Sequence, residues 1–380
     1  MLTFSAPAKP GSSNPALLRF GPPASSSQVR TTHGSEVSLT LRPLPGESPS
    51  GISARLANAL AGDTILQMLV YGGVSASTVF AEAMRRQFGA IDWPVTWVEG
   101  GACDGSPIAG IQVFGVAGED VERVRIGGRV IGSVFADGAA RHCHLGGLGP
   151  AKSSASRGDQ TKQTLEQLAC ALAQAGFSLA DTVRTWFFLE DILSWYGEFN
   201  RARTEIYSGV RFSTGSLPVS TGVGGRNPAG TALAVGAWAM QPLAGGAGAG
   251  EIASPRQCPA PAYGSSFSRA MEIPSPAGRR LLISGTASIA PDGQTVWEND
   301  PRRQVELTMQ VVGDILQSRG FSFSDLTRAT AYFKHKADAR IFMEWCAASG
   351  WTLPPVIMTG CDVCRDELLF ELEADAAKTT

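Results

Sequence analysis

Two stretches of the chain carry the same alternation of apolar and polar positions. In 159–189, Leu165, Leu168 and Leu172 recur at helical spacing; in 303–333, Val305, Met309, Val312 and Leu316 do the same. Residues three and four apart share one side of an α-helix, so each stretch predicts a helix with a single apolar face. Gly176 and Gly320 then stop the two helices, because glycine takes the left-handed turn that ends a helix. After Asp181 and Asp325 come β-branched and aromatic runs, 185–189 and 329–333, which predict strands. Second helices follow at 196–207 and 337–349, and a Leu-Pro pair opens a final strand region at Leu217-Pro218 and at Leu353-Pro354.

The two copies agree in residues as well as in pattern. Gln160 matches Gln304, Gly176-Phe177-Ser178 matches Gly320-Phe321-Ser322, Asp181 matches Asp325 and Arg184 matches Arg328, all at one constant offset. A hairpin-like apolar run precedes each copy, at 129–135 and 280–286. The order strand, strand, helix, strand, helix, strand is therefore repeated. A fainter third copy lies near the N-terminus, with 78–88 as its last helix and 93–114 echoing 217–238. The reading is an α+β chain of tandem units, two clear and one degenerate, packed as a pseudo-trimer around a shared core. Its expected divisions are a flexible leader at 1–34, a degenerate unit at 35–120, a second unit at 121–243 and a C-terminal catalytic unit at 251–376. The glycine-rich run Gly245–Gly250 is the joint before the last unit.

Composition narrows the partners. Of 380 residues, 43% are hydrophobic and 17% charged, with a net charge of −2, so neither nucleic acid nor an anionic membrane surface is an expected partner. No stretch approaches the ~18 apolar residues that a membrane helix needs. The N-terminal segment is rich in Pro, Ser and Ala and lacks the apolar block of a secretory signal, which points to the cytoplasm. Seven scattered cysteines do not form a disulfide framework and agree with a reducing compartment. Cys361-x-x-Cys364 has no second pair at zinc spacing, and His142 with His144 offers only two ligands, so no metal is expected. The glycine-rich turn at 222–225 lacks the companions of a nucleotide-binding loop, and no cofactor is expected.

Three runs carry a family likeness. They are Ser220-Thr-Gly-Val-Gly-Gly-Arg-Asn-Pro228, Tyr263-Gly-Ser-Ser-Phe-Ser-Arg-Ala270 and Cys361-Asp-Val-Cys-Arg-Asp-Glu-Leu-Leu-Phe-Glu371. With the repeated GFS-x-x-D step and the ending Leu368–Ala374, they resemble the chorismatases, which are built from fused units of the RidA/YjgF type with a chorismate mutase-like barrel. The likeness covers roughly 35–376 and implies a substrate cleft between adjacent units, with a glutamate on the last strand as acid. Glu371 takes that place. Imine deaminases of the RidA/YjgF type carry an arginine fifteen residues before the glutamate; here that position is Val356, which cannot hold a carboxylate. Some chorismatases hydrolyse chorismate to a dihydroxycyclohexadiene acid. Others carry a cysteine seven residues before the glutamate and give 3-hydroxybenzoate, sometimes with 4-hydroxybenzoate; Cys364 has that spacing.

The residues themselves support the assignment of an acid. On an extended 368–373, Leu369, Glu371 and Glu373 share one face, so Glu371 meets apolar wall and its pKa should rise. Glu373 is its rival. Chorismate has two carboxylates, and the expected holders are Arg203 and Tyr207 on the second unit's helix, Arg226, Arg269 and the backbone at Gly285. The positions matching Glu371 in the other units are read as Val235 and Ile111, which leaves one working cleft per chain. The alternatives are a purely hydrolytic chorismatase, a RidA-like imine or enamine hydrolase, and a non-catalytic ligand-binding module. The partner is a small molecule, and the chain is a monomer or a homo-oligomer.

Overall fold

The computed structural model describes residues 24–30, 34–60, 62–276, 278–351 and 354–379. Among the described residues, three mixed sheets and six α-helices alternate. The helices are α1 (Pro49–Ala59), α2 (Ser77–Phe88), α3 (Arg157–Gln174), α4 (Ile192–Tyr207), α5 (Pro301–Ser318) and α6 (Ala339–Ser349). Each sheet is built in the same order: a hairpin, a helix, a strand, a second helix, a strand parallel to the previous one, and a last strand returning to the centre. The parallel pairs are Thr64–Gly72 with Val95–Val98, Thr182–Leu189 with Val219–Gly224, and Leu326–Phe333 with Val356–Gly360. The central returning strands are Ile108–Ala117, Leu233–Pro242 and Phe370–Thr379.

Local chemistry explains where the helices start and stop. Ser156 caps α3 by accepting from the Asp159 N–H at 3.1 Å, and Asp300 caps α5 by accepting from the Arg303 N–H at 3.0 Å. Gly176 and Gly320 leave α3 and α5 at φ 74° and 72°. Ser178–Asp181 and Ser322–Asp325 then close as two matching capping boxes that turn the chain into the next strand. Along α5, Val305, Met309, Val312 and Leu316 are buried against the third sheet. Truncating one of them to alanine should cost about 2–5 kcal/mol.

Each sheet therefore has a helix-covered face with its own apolar cluster. The opposite faces of all three sheets meet in one further cluster, which holds Leu69, Tyr71, Trp186, Phe188, Trp238, Leu282 and Tyr332. A buried ionic network lies at this meeting. Arg184 of the second sheet and Arg328 of the third both bind Glu373 and Asp375, Arg328 also donates to Gln112 of the first sheet at 2.6 Å, and Thr221 donates to Glu373. Breaking one partner of such a network strands a buried charge, and its contacts tie residues of all three sheets together.

The expected leader needs one correction. Ala24–Arg30, inside the stretch read as leader, forms a strand paired antiparallel with Ser35–Leu41. The rest of that stretch, 1–23 and 31–33, lies outside the described residues. Among the described residues no helix is long and apolar enough to cross a membrane.

Candidate active site

A cavity of ≈ 180 Å³ opens between the second and third sheets. Four sources build it. Helix α4 contributes Tyr196, Asn200 and Arg203, spaced so that they share one side of the helix. The strand Val219–Gly224 contributes Ser220 and Gly222. The segment leading into the third sheet contributes Tyr263, Ser265, Phe267 and Arg269, and the last unit closes the cavity with Gly285, Cys364, Arg365 and Glu371.

Glu371 sits on the floor, 4% exposed, opposite Tyr332 in the strand register. Burial pushes its carboxyl up to about 8, and the neighbouring Glu373 charge adds to the shift while Arg269 opposes it. At neutral pH the group is mainly a protonated acid. Its rival behaves in the opposite way. Burial also disfavours ionised Glu373, but Arg328, Arg184 and the Thr221 hydroxyl outweigh it and hold the group down at about 2. Glu373 is thus a fixed charge engaged by the protein and has no proton to give near neutrality.

Three arginines line the cavity without a carboxylate partner among the described residues. Arg203 is 2% exposed, donates to Asn200 Oδ1 at 2.7 Å and lies over Phe199 at 4.9 Å. Arg269 is 4% exposed, donates to the Cys258 carbonyl at 3.0 and 3.1 Å and lies over Tyr263 and Phe267. Arg365 donates to the Gly293 carbonyl at 2.9 Å and also lies over Tyr263. Aromatic faces and carbonyls position these guanidinium groups but leave their charge uncompensated, which suits a dianionic ligand. Burial, and after it the Glu371 charge, push the Cys364 thiol up to about 12, so it is a neutral thiol rather than a thiolate.

Of the residues predicted from sequence, the structure brings Glu371, Cys364, Arg203, Arg269 and Gly285 to this cavity and leaves Tyr207 and Arg226 outside it. Tyr207 follows Arg203 by one helical turn, yet there the helix has moved over the second unit's own core, and its ring packs on Phe212 at 5.3 Å. Arg226 lies past the end of its strand, with its side chain 59% exposed and paired with Glu99. Gly285 has a different use from the expected one. Its N–H donates to Thr221 Oγ1 at 3.2 Å and is not free for a ligand, while a Cβ at this position would collide with the Glu371 carboxyl. The missing side chain makes room for the acid.

Tyr196, Asn200, Ser220, Tyr263 and Arg365 were not predicted individually. The spacing of Tyr196, Asn200 and Arg203 was a readable signal, since three polar side chains fall on the inner side of an otherwise apolar helix face.

The registers of the three sheets define what stands in place of Glu371 elsewhere. Each middle strand has a register irregularity just before Gln67, Arg184 and Arg328, which aligns the three strands. Tyr332 then faces Glu371, Phe188 faces Ala234, and Tyr71 faces Gly110. The expected Val235 and Ile111 are each displaced by one residue. Side chains alternate along a strand, so both point into the helix-covered cores instead of the clefts. Beside Gly110 the space is filled by Ile357. Val356 lies fully buried in the helix-covered core of the third sheet.

One group of potential metal ligands, Glu36, Asp137 and His142, converges within 4.8 Å near the junction of the sheets. Arg280 reaches into it and pairs with both Glu36 and Asp137, so a cation already occupies the acidic side.

Comparison with known proteins adds the following. The profile of the endoribonuclease L-PSP family matches residues 258–378, the part of the chain that holds Tyr263, Arg269, Cys364 and Glu371. A 3-hydroxybenzoate synthase of Streptomyces hygroscopicus is 27% identical over 225 residues, which is 52% of this chain and 64% of that protein. A chorismatase of the same organism is 28% identical over 120 residues, 29% of this chain and 35% of that protein. The chain thus spans less than two thirds of the length of either curated relative. A crystal structure of a chorismatase superposes with a TM-score of 0.65 at 19% identity, covering 91% of this chain and 99% of that one. That likeness fixes the overall architecture.

Proposed function

We propose that this chain, a homologue of 3-hydroxybenzoate synthase and chorismatase with the chorismatase fold, cleaves chorismate with release of pyruvate, and that Glu371 supplies the proton. The observation that carries the reading is a buried carboxyl, pushed up to about 8 by that burial, in a cavity lined by three arginines lacking acidic partners among the described residues. A dianion satisfies those charges, and a protonated carboxyl next to it is what cleavage of an enol ether requires.

The reaction begins when Glu371 protonates the methylene carbon of the enolpyruvyl group, turning it into a methyl and leaving an oxocarbenium ion. Two endings balance. Water can add to the oxocarbenium carbon, its proton restoring Glu371, and the hemiketal collapses to pyruvate and a dihydroxycyclohexadiene acid. Alternatively the ring's own hydroxyl assists cleavage of the bond between the ring carbon and the ether oxygen, which releases pyruvate, and the ring aromatises; the atoms of chorismate then divide between pyruvate and hydroxybenzoate, and the ring proton lost restores Glu371. Arg203, Arg269 and Arg365 hold the two carboxylates. Cys364 is an uncharged, polarisable group beside the ring and steers it toward 3-hydroxybenzoate. The fused units bring the second unit's helix to the third unit's strand, so one chain carries a complete cleft.

The test is incubation of the full chain with chorismate, following pyruvate by coupled reduction and the aromatic product by chromatography. Stoichiometric pyruvate and 3-hydroxybenzoate are expected. Absence of pyruvate overturns the reading, and pyruvate without an aromatic product moves it to the hydrolytic ending.

A further inference from the structure

The first and second sheets enclose a second cleft, equivalent in position to the one between the second and third. Its volume is ≈ 460 Å³. The equivalence rests on the backbone. In the third sheet the Gly285 N–H donates to Thr221 Oγ1 at 3.2 Å; in the second, the Gly147 N–H donates to Thr96 Oγ1 at 2.8 Å. Both glycines occupy the irregularity where the hairpin strand meets the returning strand. The two clefts are copies of one construction with different linings.

The substitutions at matching places all run one way. By strand register, Ala234 stands where the active cleft has Glu371, and Ile131 where it has Arg269. Val95 replaces Ser220 and the indole of Trp97 replaces Gly222. Ala234, Ile131, Val95 and Trp97 all line this cleft, with Leu148 and Pro228. The acid is gone and the buried arginine has become apolar, so proton transfer to a dianion has no basis here. One cation remains. Arg129 lines the cavity and donates a long bond of 3.4 Å to the Gly147 carbonyl, and it has no carboxylate partner among the described residues. The Trp97 ring is held by packing on Phe80 at 5.7 Å and by donation from its Nε1 to the Gly72 carbonyl at 3.1 Å.

We propose that this cleft is a binding site for a small aromatic monocarboxylate, whose ring lies against Trp97 and the apolar wall and whose carboxylate meets Arg129. A planar apolar body matches the lining, and a single negative charge matches the single guanidinium; a dicarboxylate would leave its second charge against Ile131 and Ala234. The site stands on its own geometry and does not depend on what the active cleft cleaves.

The test is a titration of the full chain with benzoate and with 3-hydroxybenzoate, followed through the indole N–H signal of Trp97, identified as the one missing in Trp97→Phe. A saturable shift is expected, weakened about tenfold by Arg129→Ala, in keeping with loss of one charge-assisted hydrogen-bonding partner, and unaltered by Arg269→Leu in the active cleft. No shift at millimolar ligand, or a shift that Arg129→Ala leaves unchanged, overturns the proposal. Arg129 is exposed, so its replacement does not endanger folding. Arg129→Ala should cleave chorismate at the wild-type rate, so failure of this site and failure of the proposed activity read out separately.

Discussion

Glu371 and Glu373 lie next but one on the same strand and the same face, yet the fold holds them in opposite protonation states. Glu373 is met by Arg184, Arg328 and Thr221 and stays ionised, whereas no hydrogen bond from the described residues reaches the Glu371 carboxyl. The charged neighbour helps keep the other group neutral. An acid that would be spent at neutral pH in water is thereby retained, as the proposed protonation of carbon requires.

That arrangement predicts the pH profile. In the proposed mechanism the working form of Glu371 is the protonated one, so kcat/KM for chorismate should be level at neutral pH and fall as pH rises through about 8. A profile rising through that region would mean that the group works as a base, contrary to the mechanism.

The same shift ties activity to stability. Glu371 has a folded-state pKa raised above its usual value of 4.5, so the folded protein binds more protons than the unfolded chain between pH 4.5 and about 8. Stability associated with this group is present below 4.5 and is lost as pH rises toward 8. At pH 7 the cost is on the order of a few kcal/mol. Glu371→Gln removes the titration while keeping the shape. Its turnover should drop by about 10²–10⁴-fold, and its melting temperature at pH 7 should be above wild type. A variant that loses activity by unfolding would show the opposite melting shift.

Glu373→Gln should act differently. It leaves Arg184 and Arg328 buried with only Asp375 as an acidic partner, at a cost of about 3–5 kcal/mol in chemical denaturation. It also removes the like charge beside Glu371, so the alkaline limb of the activity profile should move to lower pH. If that limb stays in place, Glu373 does not tune the acid.

The tandem organisation was legible because the two later copies keep the same Ser-to-Asp boxes, helix stops and helix spacing, which are local features. The placement of Arg203 against the last strand followed from one cleft shared by two units. What failed depended on register and direction. Val235 was one residue off because no single-sequence pattern fixes how a returning strand pairs across a buried sheet that is apolar on both faces. Tyr207 shares its helix face with Arg203, but the far end of the helix points into its own unit's core. Arg365, beside Cys364, lines the cavity as well, and no sequence pattern distinguishes it from a surface cation.

Cys364→Ala should separate the two endings of the reaction. The thiol lines the cavity and has no part in the proposed protonation, so pyruvate release should persist within about tenfold. The ring product should shift from 3-hydroxybenzoate toward the dihydroxycyclohexadiene acid, measured by chromatography of the quenched reaction. An unchanged product ratio would remove the cysteine from ring chemistry.

Gly285→Ala probes the space around the acid without touching its chemistry. The added methyl would collide with a Glu371 carboxyl oxygen, so the carboxyl end of that side chain has to give way while the backbones on either side stay in place. The glycine lies within the strand Gly278–Ala287, and its N–H is held by Thr221. The Glu371 backbone is pinned by pairing with Tyr332 on one side and Ala287 on the other. The carboxyl must therefore rotate into the cavity. Turnover should fall by more than about tenfold, since displacement of an acid by about 1 Å can cost about 10²-fold, and chorismate affinity should fall as the cavity shrinks. Ala287→Gly, a second change that frees space on the facing strand pair, should restore part of the rate if crowding of the acid is the cause. Full activity in Gly285→Ala would mean that the observed carboxyl position is not the one from which the proton is delivered.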